Sequence, residues 1–350
     1  MMGAQRLSNI DRTPAQMATR FDKLRLDKNE YIPHLPDRIF REVMATIRPE
    51  HVSAHPELGP LYAKLSTRLG LAPDMVLLGA GSDSLIRSAF EVFVSEGDKV
   101  VFPDPSFAMY RIYAECRGAE VVSIGYGEDL SLDPGRIIDA LDAKTSLLVM
   151  ANPNSPTGTV IDTNAIEAIL RRADGVGCAV LIDEAYYPFY DGTVLDRVGR
   201  TKNLIVTRTL SKAAGLAGLR VGFAAGDKTA IRAMTASKLM YEITGISAVF
   251  AEYMLDHYEL LFEYAKEVNA AKRRLAAFLR EAGFAVREGH ANFIHVDFGN
   301  DRSRIVERLL ASGVLFKDRF SHPSLRRYCR FSVGGMAATE RFIDLLKGLL

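Results

Sequence analysis

Short, continuously apolar runs alternate with stretches of helical periodicity over roughly the first two-thirds of the chain. The runs are MVLL (75–78), KVVF (99–102), EVVSI (120–124), SLLVM (146–150), AVLI (179–182), NLIVT (203–207) and RVGFA (220–224). A strand with one face in water alternates apolar and polar positions, so continuous runs predict strands covered on both faces. Between them, Leu58, Leu61, Leu65 and Leu69 recur at spacings of three and four, which predicts a helix over 58–70. Residues 83–94, 106–117 and 163–173 behave similarly. Strands alternating with helices predict βαβ units, hence an α/β fold with a mainly parallel, seven-stranded sheet and helices on both faces.

After about residue 230 the texture changes. Residues 247–281 predict one or two long helices rich in Ala, Leu, Glu and Lys. Strand-like AVRE, NFIHVDF and CRFSV follow, with a helix near 303–311 and a final helix from about 337. This is a smaller α+β unit, and no linker marks its boundary. A crevice between two such units is a common ligand site.

A chain of 350 residues suits one large domain with a smaller companion. Its 48% hydrophobic and 25% charged residues exclude disorder, collagen-like repeats and coiled coil. The formal net charge of +1 gives no bulk electrostatic reason to bind nucleic acid or an anionic membrane. Cys116, Cys178 and Cys329 are too widely spaced for a disulfide framework or a CxxC metal site, as expected of a reducing, cytosolic setting. The N-terminus lacks a signal-peptide apolar core, and no run approaches the ~20 apolar residues that span a bilayer. The expectation is a soluble, intracellular protein.

In open parallel sheets, ligands sit at the carboxyl ends of strands. After MVLL comes GAGSDS, where Gly79 and Gly81 permit close backbone approach and Ser82 and Asp83 open a helix whose free N–H groups attract an anion. By itself such a segment is more often a tight turn with an Asp cap. It lacks the third glycine of GxGxxG and the GK[ST] ending of a P-loop. After SLLVM, the loop ANPNSPTG can aim Asn154 and Ser155 into a site, or be an ordinary turn. After AVLI comes DEAYY, whose Asp183 is costly to bury without a cation or donor, and is otherwise a helix cap. After NLIVT comes RTLSKAAGLAGLRVG, where small residues around Lys212 would desolvate an amine; a lone lysine is more commonly solvated.

Together, RTLSKAAGLAGLRVG, DEAYYPFY and NPNSPTG resemble the fold-type-I pyridoxal-phosphate (PLP) enzymes, class I/II aminotransferases. DKNEYIP near the start and CRFSVGG near the end extend the likeness over most of the chain, and the pattern is similar to that of histidinol-phosphate aminotransferases. The resemblance implies an arm over residues 1–25, a large PLP-binding domain over 26–240 whose first part packs with the small domain, and a small α+β domain over 241–350. It implies that Lys212 links covalently to PLP and that Asp183 pairs with the protonated pyridine nitrogen, keeping the ring an electron sink. Tyr186 would donate to the ring oxygen, Asn154 would lie beside it, and Phe107 would stack on the ring or serve as a core aromatic. Gly81, Ser82, Asp83, Thr209, Ser211 and Arg220 would cradle the phosphate. Arg330 would grip a substrate α-carboxylate, with Asn29 lining the same pocket.

Four positions depart from the family pattern. Ser155 stands where Asn usually precedes PTG, with Asn154 one place earlier. Ser53, with His55 nearby, aligns with a Tyr that reaches the other subunit's cofactor; Ala15 and Lys317 align with a Tyr and an Arg that recognise a substrate phosphate. The resemblance implies a cytoplasmic homodimer that passes an amino group from a small-molecule donor to a keto acid, without nucleic acid, membrane or metal. The same parts could serve a decarboxylase of phosphoserine or phosphothreonine. A non-catalytic α/β binding protein or a nicotinamide dehydrogenase would need none of the Asp183, Tyr186, Lys212 and Arg220 set.

Overall fold

The computed structural model describes residues 20–350. Its strands are β1 (Leu24–Leu26), β2 (Val76–Ala80), β3 (Lys99–Asp104), β4 (Glu120–Gly125), β5 (Thr145–Ala151), β6 (Ala179–Asp183), β7 (Leu204–Thr209), β8 (Val221–Gly226), β9 (Ala285–Arg287), β10 (Phe293–Asp297), β11 (Val314–Phe316) and β12 (Cys329–Ser332). Seven of them form one sheet in the order β2-β8-β7-β6-β5-β3-β4. Only β8 runs against its neighbours. These are the seven apolar runs of the sequence, and the reason they are continuous is visible in β5. Leu147, Val149 and Ala151 face one buried cluster, and Leu148 and Met150 face another. The first cluster lies under helices Ser82–Phe93, Met109–Arg117 and Lys228–Ser237. The second joins helix Thr163–Gly175 to the C-terminal elements.

The helix expected over 106–117 begins only at Met109. The residues before it are held by a neighbouring loop instead: Asn154 donates to the Pro105 carbonyl and accepts from the Ser106 hydroxyl. The long helical stretch is two helices, Gly245–Asp256 and Glu259–Glu281. The first starts at Thr244, whose hydroxyl accepts from Ser247 N–H as an N-cap.

The C-terminal strands form an antiparallel sheet in the order β12-β10-β9. A separate parallel pair joins β1 to β11, and β11 is continued toward β12 by mutual backbone bonds between Lys317 and Arg330. The chain's early segment is thus zipped to strands almost 300 residues later, which brings residues 27–30 to the carboxyl edge of the large sheet. No described helix is long and apolar enough to cross a membrane.

Candidate active site

Strand register sets the floor of the site. Asp183 ends β6 and lies opposite Thr207 of β7. It is buried, and its carboxylate accepts from the Tyr110 hydroxyl (2.9 Å) at Oδ2 and the Thr207 hydroxyl (3.2 Å) at Oδ1. Burial pushes its carboxyl up to about 6, against the pull of these donors. Three residues on, Tyr186 accepts at its hydroxyl from Asn29 Nδ2 (2.8 Å) and packs edge-on against Phe293. Lys212, on the loop after β7, sits with its Nζ 5.9 Å from the Tyr186 ring centre and donates to the Lys28 carbonyl at 2.8 Å. Burial lowers its amine below the ordinary lysine range; Tyr186 opposes this and nearby Arg330 adds to it.

A second group forms where β2, β8 and β7 meet. Gly222 pairs with both Gly79 and Thr209. A Cβ on Gly222 would lie 2.4 Å from the Ser82 nitrogen, and one on Gly81, whose φ is 78°, would lie 2.5 Å from an Arg220 nitrogen. Backbone, helix start and guanidinium therefore converge only because two side chains are missing. Ser82 and Asp83 open the helix Ser82–Phe93, so their N–H groups have no partner within it. The Asp83 carboxylate itself turns away and accepts from the Tyr113 hydroxyl. Thr209 and Ser211 hydroxyls bond each other, and Arg220 donates to Ser211 Oγ. Arg220 holds φ at 55°, a left-handed backbone costing about 1–3 kcal/mol that such sites tolerate.

The segment from β1 roofs the cleft. Asn29, also left-handed at φ 54°, is pinned through both ends: its N–H donates to Ser332 Oγ, which donates back to Asn29 Oδ1. Asn292 Nδ2 donates to its carbonyl. Arg330 reaches beneath this segment, donating from Nη2 to the Asp27 carbonyl at 2.7 Å and lying over the Phe293 ring. Its buried Nε has no partner. Lys317 stands opposite Arg330 in the ladder, so both side chains share a face; its Nζ is exposed, 6.0 Å from the Phe320 ring centre. Phe107 is 37% exposed at the cleft and rests edge-on against Tyr110.

The structure thus gathers Asn29, Tyr186, Lys212 and Arg330 around the 27–30 segment, with Asp183 at the end of β6 three residues before Tyr186, and Gly81, Ser82, Thr209, Ser211 and Arg220 beside the loop that carries Lys212. Asn154 is buried, and its amide is committed to Pro105, Ser106 and Thr157, whereas Ser155 is partly exposed. Ala15 lies outside the described residues. Sequence reasoning passed over Tyr110, Ser332, Asn292 and a buried pair behind the site. In that pair, Arg208 donates to Glu184 through Nε (2.9 Å) and Nη2 (2.8 Å) and stacks on Tyr187. A Glu following the strand-end Asp183 was the available signal, since a charge there demands a partner.

The residues fit the PLP that the sequence resemblance implies. Gly81 and Gly222 leave a cradle that any side chain would fill. Asp183 is a buried carboxylate whose side-chain donors are two neutral hydroxyls, a suitable counter-charge for a pyridinium. Lys212 offers an amine that burial makes less basic than an ordinary lysine. Among the described residues, no cluster of three His, Cys, Asp or Glu could hold a metal ion.

Comparison with known proteins gives the family. Residues 30–346 match the family model described as aminotransferase class I and II. The chain is 33% identical over 334 residues to the histidinol-phosphate aminotransferase of Thermoanaerobacter sp. (strain X514), covering 94% of this chain and 93% of that protein. It is 31% identical to the enzyme of that name from Chlorobaculum tepidum, covering 93% and 94%. Among solved structures, the Sinorhizobium meliloti histidinol-phosphate aminotransferase in complex with pyridoxal-5'-phosphate superposes with a TM-score of 0.83 at 21% identity, over 99% of this chain and 97% of that one. Thermus thermophilus aspartate aminotransferase with maleate gives 0.76 at 21%, over 94% and 92%.

Proposed function

This chain belongs to the class I and II aminotransferases and is a PLP-dependent transaminase, and we propose that it draws its amino group from histidinol phosphate or a closely similar amine, using Lys212, Asp183 and Tyr186 as its catalytic residues. The observation that supports the assignment of residues is that the 27–30 segment is held by Tyr186, Lys212 and Arg330 together, with Asp183 at the strand end three residues before Tyr186. The substrate rests on the names of relatives at 31–33% identity. The decarboxylase alternative draws no support from them.

When bound, PLP supplies an aldehyde that condenses with amines and a ring that accepts the electron pair left on the adjacent carbon. Asp183, whose anionic form the Tyr110 and Thr207 hydroxyls favour, would pair with the protonated ring nitrogen. Gly81, Ser82, Asp83, Thr209, Ser211 and Arg220 hold the phosphate through N–H groups, hydroxyls and one guanidinium. Tyr186, oriented by Asn29, would donate to the ring oxygen, and Phe107, edge-on to Tyr110, would pack against the ring. Lys212 would be the residue that holds the cofactor through its aldehyde. Its Nζ, which burial makes less basic than an ordinary lysine amine, would be the group that takes up the proton from the substrate Cα. Arg330 exchanges the Asp27 carbonyl for the carboxylate of the amino or keto acid partner, and Lys317 on the same face offers charge to a distal anion.

The active species is a cytoplasmic homodimer. Val52, within the 50–57 segment that includes Ser53 and His55, and Leu239, Met240 and Tyr241, the last stacked on His55, are exposed apolar residues that a second copy would cover. Within each copy the large domain ends near residue 240.

The test is a half-reaction. PLP-loaded protein mixed with histidinol phosphate or L-glutamate should release one equivalent of the carbonyl product before any acceptor is added. Lys212→Ala should release none and show no visible absorption from covalently held cofactor. Release of carbon dioxide, or a Lys212→Ala protein that keeps both properties, would overturn the assignment.

A further inference from the structure

Tyr110 is the second aromatic of the DPSFAMY segment and lies in the first turn of helix Met109–Arg117. It is wholly buried. A buried phenol needs a partner, and this one has chosen a carboxylate: its hydroxyl donates to Asp183 Oδ2 at 2.9 Å. Thr207 donates to the other oxygen at 3.2 Å. With a hydroxyl donor on each oxygen and the Ala185 N–H also directed at it, the carboxylate cannot rotate freely, and acceptor capacity is left for a further group. The same phenol ring supports the wall of the cleft. Phe107 meets it edge-on at 5.6 Å and 83°, and Phe102 at 6.3 Å and 63°.

We propose that Tyr110 is a positioning residue that keeps Asp183 ionised and aimed, and so fixes on which atom, carboxylate oxygen or ring nitrogen, the shared proton resides. The inference rests on the PLP reading above. Its logic is elementary. A hydrogen bond donated to a carboxylate favours the charged form; removing it raises the carboxylate's appetite for a proton. In a buried pair no water replaces the lost donor. The proton shared with a ring nitrogen then moves toward the oxygen, and the ring loses part of its positive charge. No atoms leave or enter; only the proton's position changes.

Tyr110→Phe keeps the ring and its contacts with Phe102 and Phe107 and removes only the hydroxyl. Protein reconstituted with PLP labelled with nitrogen-15 at the ring should show the ring resonance displaced from the protonated toward the unprotonated position. The dissociation constant for PLP should rise about ten- to a hundred-fold, the usual worth of a hydrogen bond to a charged group. Thr207→Val is isosteric and removes the longer donor, so it should move both readouts the same way by less. A packing role alone would leave the nitrogen resonance in place. If Asp183→Asn moves that resonance and neither Tyr110→Phe nor Thr207→Val does, this inference falls and the PLP reading stands. If Asp183→Asn does not move it either, or wild-type protein takes up no PLP, both fall.

Discussion

His295 makes the fold acid-sensitive, and by an amount that can be worked out. It lies in β10 opposite Arg330, 1% exposed, between the rings of Phe293, Phe320 and Tyr328. Its Nε2 has no hydrogen-bond partner. Burial first, and then the positive charges of Arg330 and Arg287, push its pKa from an ordinary 6.5 down to about 3, a contact with the Pro156 carbonyl opposing weakly. The unfolded chain therefore takes up a proton as pH falls through 6.5, while the folded chain stays neutral until about 3. Stability is lost on acidification, beginning near 6.5 and complete near 3. At about 1.4 kcal/mol per pKa unit the full loss is about 5 kcal/mol, of which about 2 kcal/mol has gone by pH 5. His295→Leu removes this term and leaves every other titrating group in place. Urea unfolding at pH 8 and pH 5 should then show wild type losing about 2 kcal/mol more than the variant. Equal losses would show that His295 is not held neutral and that the packing described around it is wrong.

Other variants test separate parts of the structure. Glu184→Ala strands the buried Arg208 guanidinium and should cost about 3–5 kcal/mol in thermal or urea unfolding; a cost under 1 kcal/mol would mean water reaches the pair. Gly222→Ala puts a Cβ 2.4 Å from the Ser82 nitrogen, against backbone that cannot yield without parting β2 from β8, so PLP affinity should fall at least about tenfold by equilibrium titration. An unchanged affinity would move the phosphate elsewhere. Arg330→Lys loses the planar fork and should raise KM for carboxylate substrates about ten- to a hundred-fold while cofactor uptake stays as it was. A rise in the PLP dissociation constant instead would place Arg330 on the cofactor.

The large sheet was legible because its burial is two-sided. When Leu147 and Leu148 each face a core, no polar alternation interrupts the run, and the strand stands out from the helices around it. The short β1 and β11 were not legible. Three residues carry no period, and each strand is stabilised by the other across almost 300 residues of sequence. The site followed the same division. Asp183 and Lys212 announce themselves at strand ends, where a charge must be explained. Tyr110 does not, because a tyrosine inside an apolar helical stretch looks like core until its hydroxyl is seen on Asp183. Asn154 shows the converse. Its side chain looks aimed at a ligand, yet its amide secures the turn before helix Met109–Arg117.

The bond from Arg330 to the Asp27 carbonyl sets an entry condition for the cleft. The guanidinium is not waiting in water; an uncharged acceptor already satisfies one arm of it, while Nε stays idle. A neutral amide or alcohol arriving there would merely swap one carbonyl-like partner for another and gain nothing. A carboxylate gains twice, by bringing full charge and by engaging the idle nitrogen as a second prong. If Arg330 is the carboxylate grip proposed above, the incumbent carbonyl would act as a threshold favouring anions over their neutral analogues.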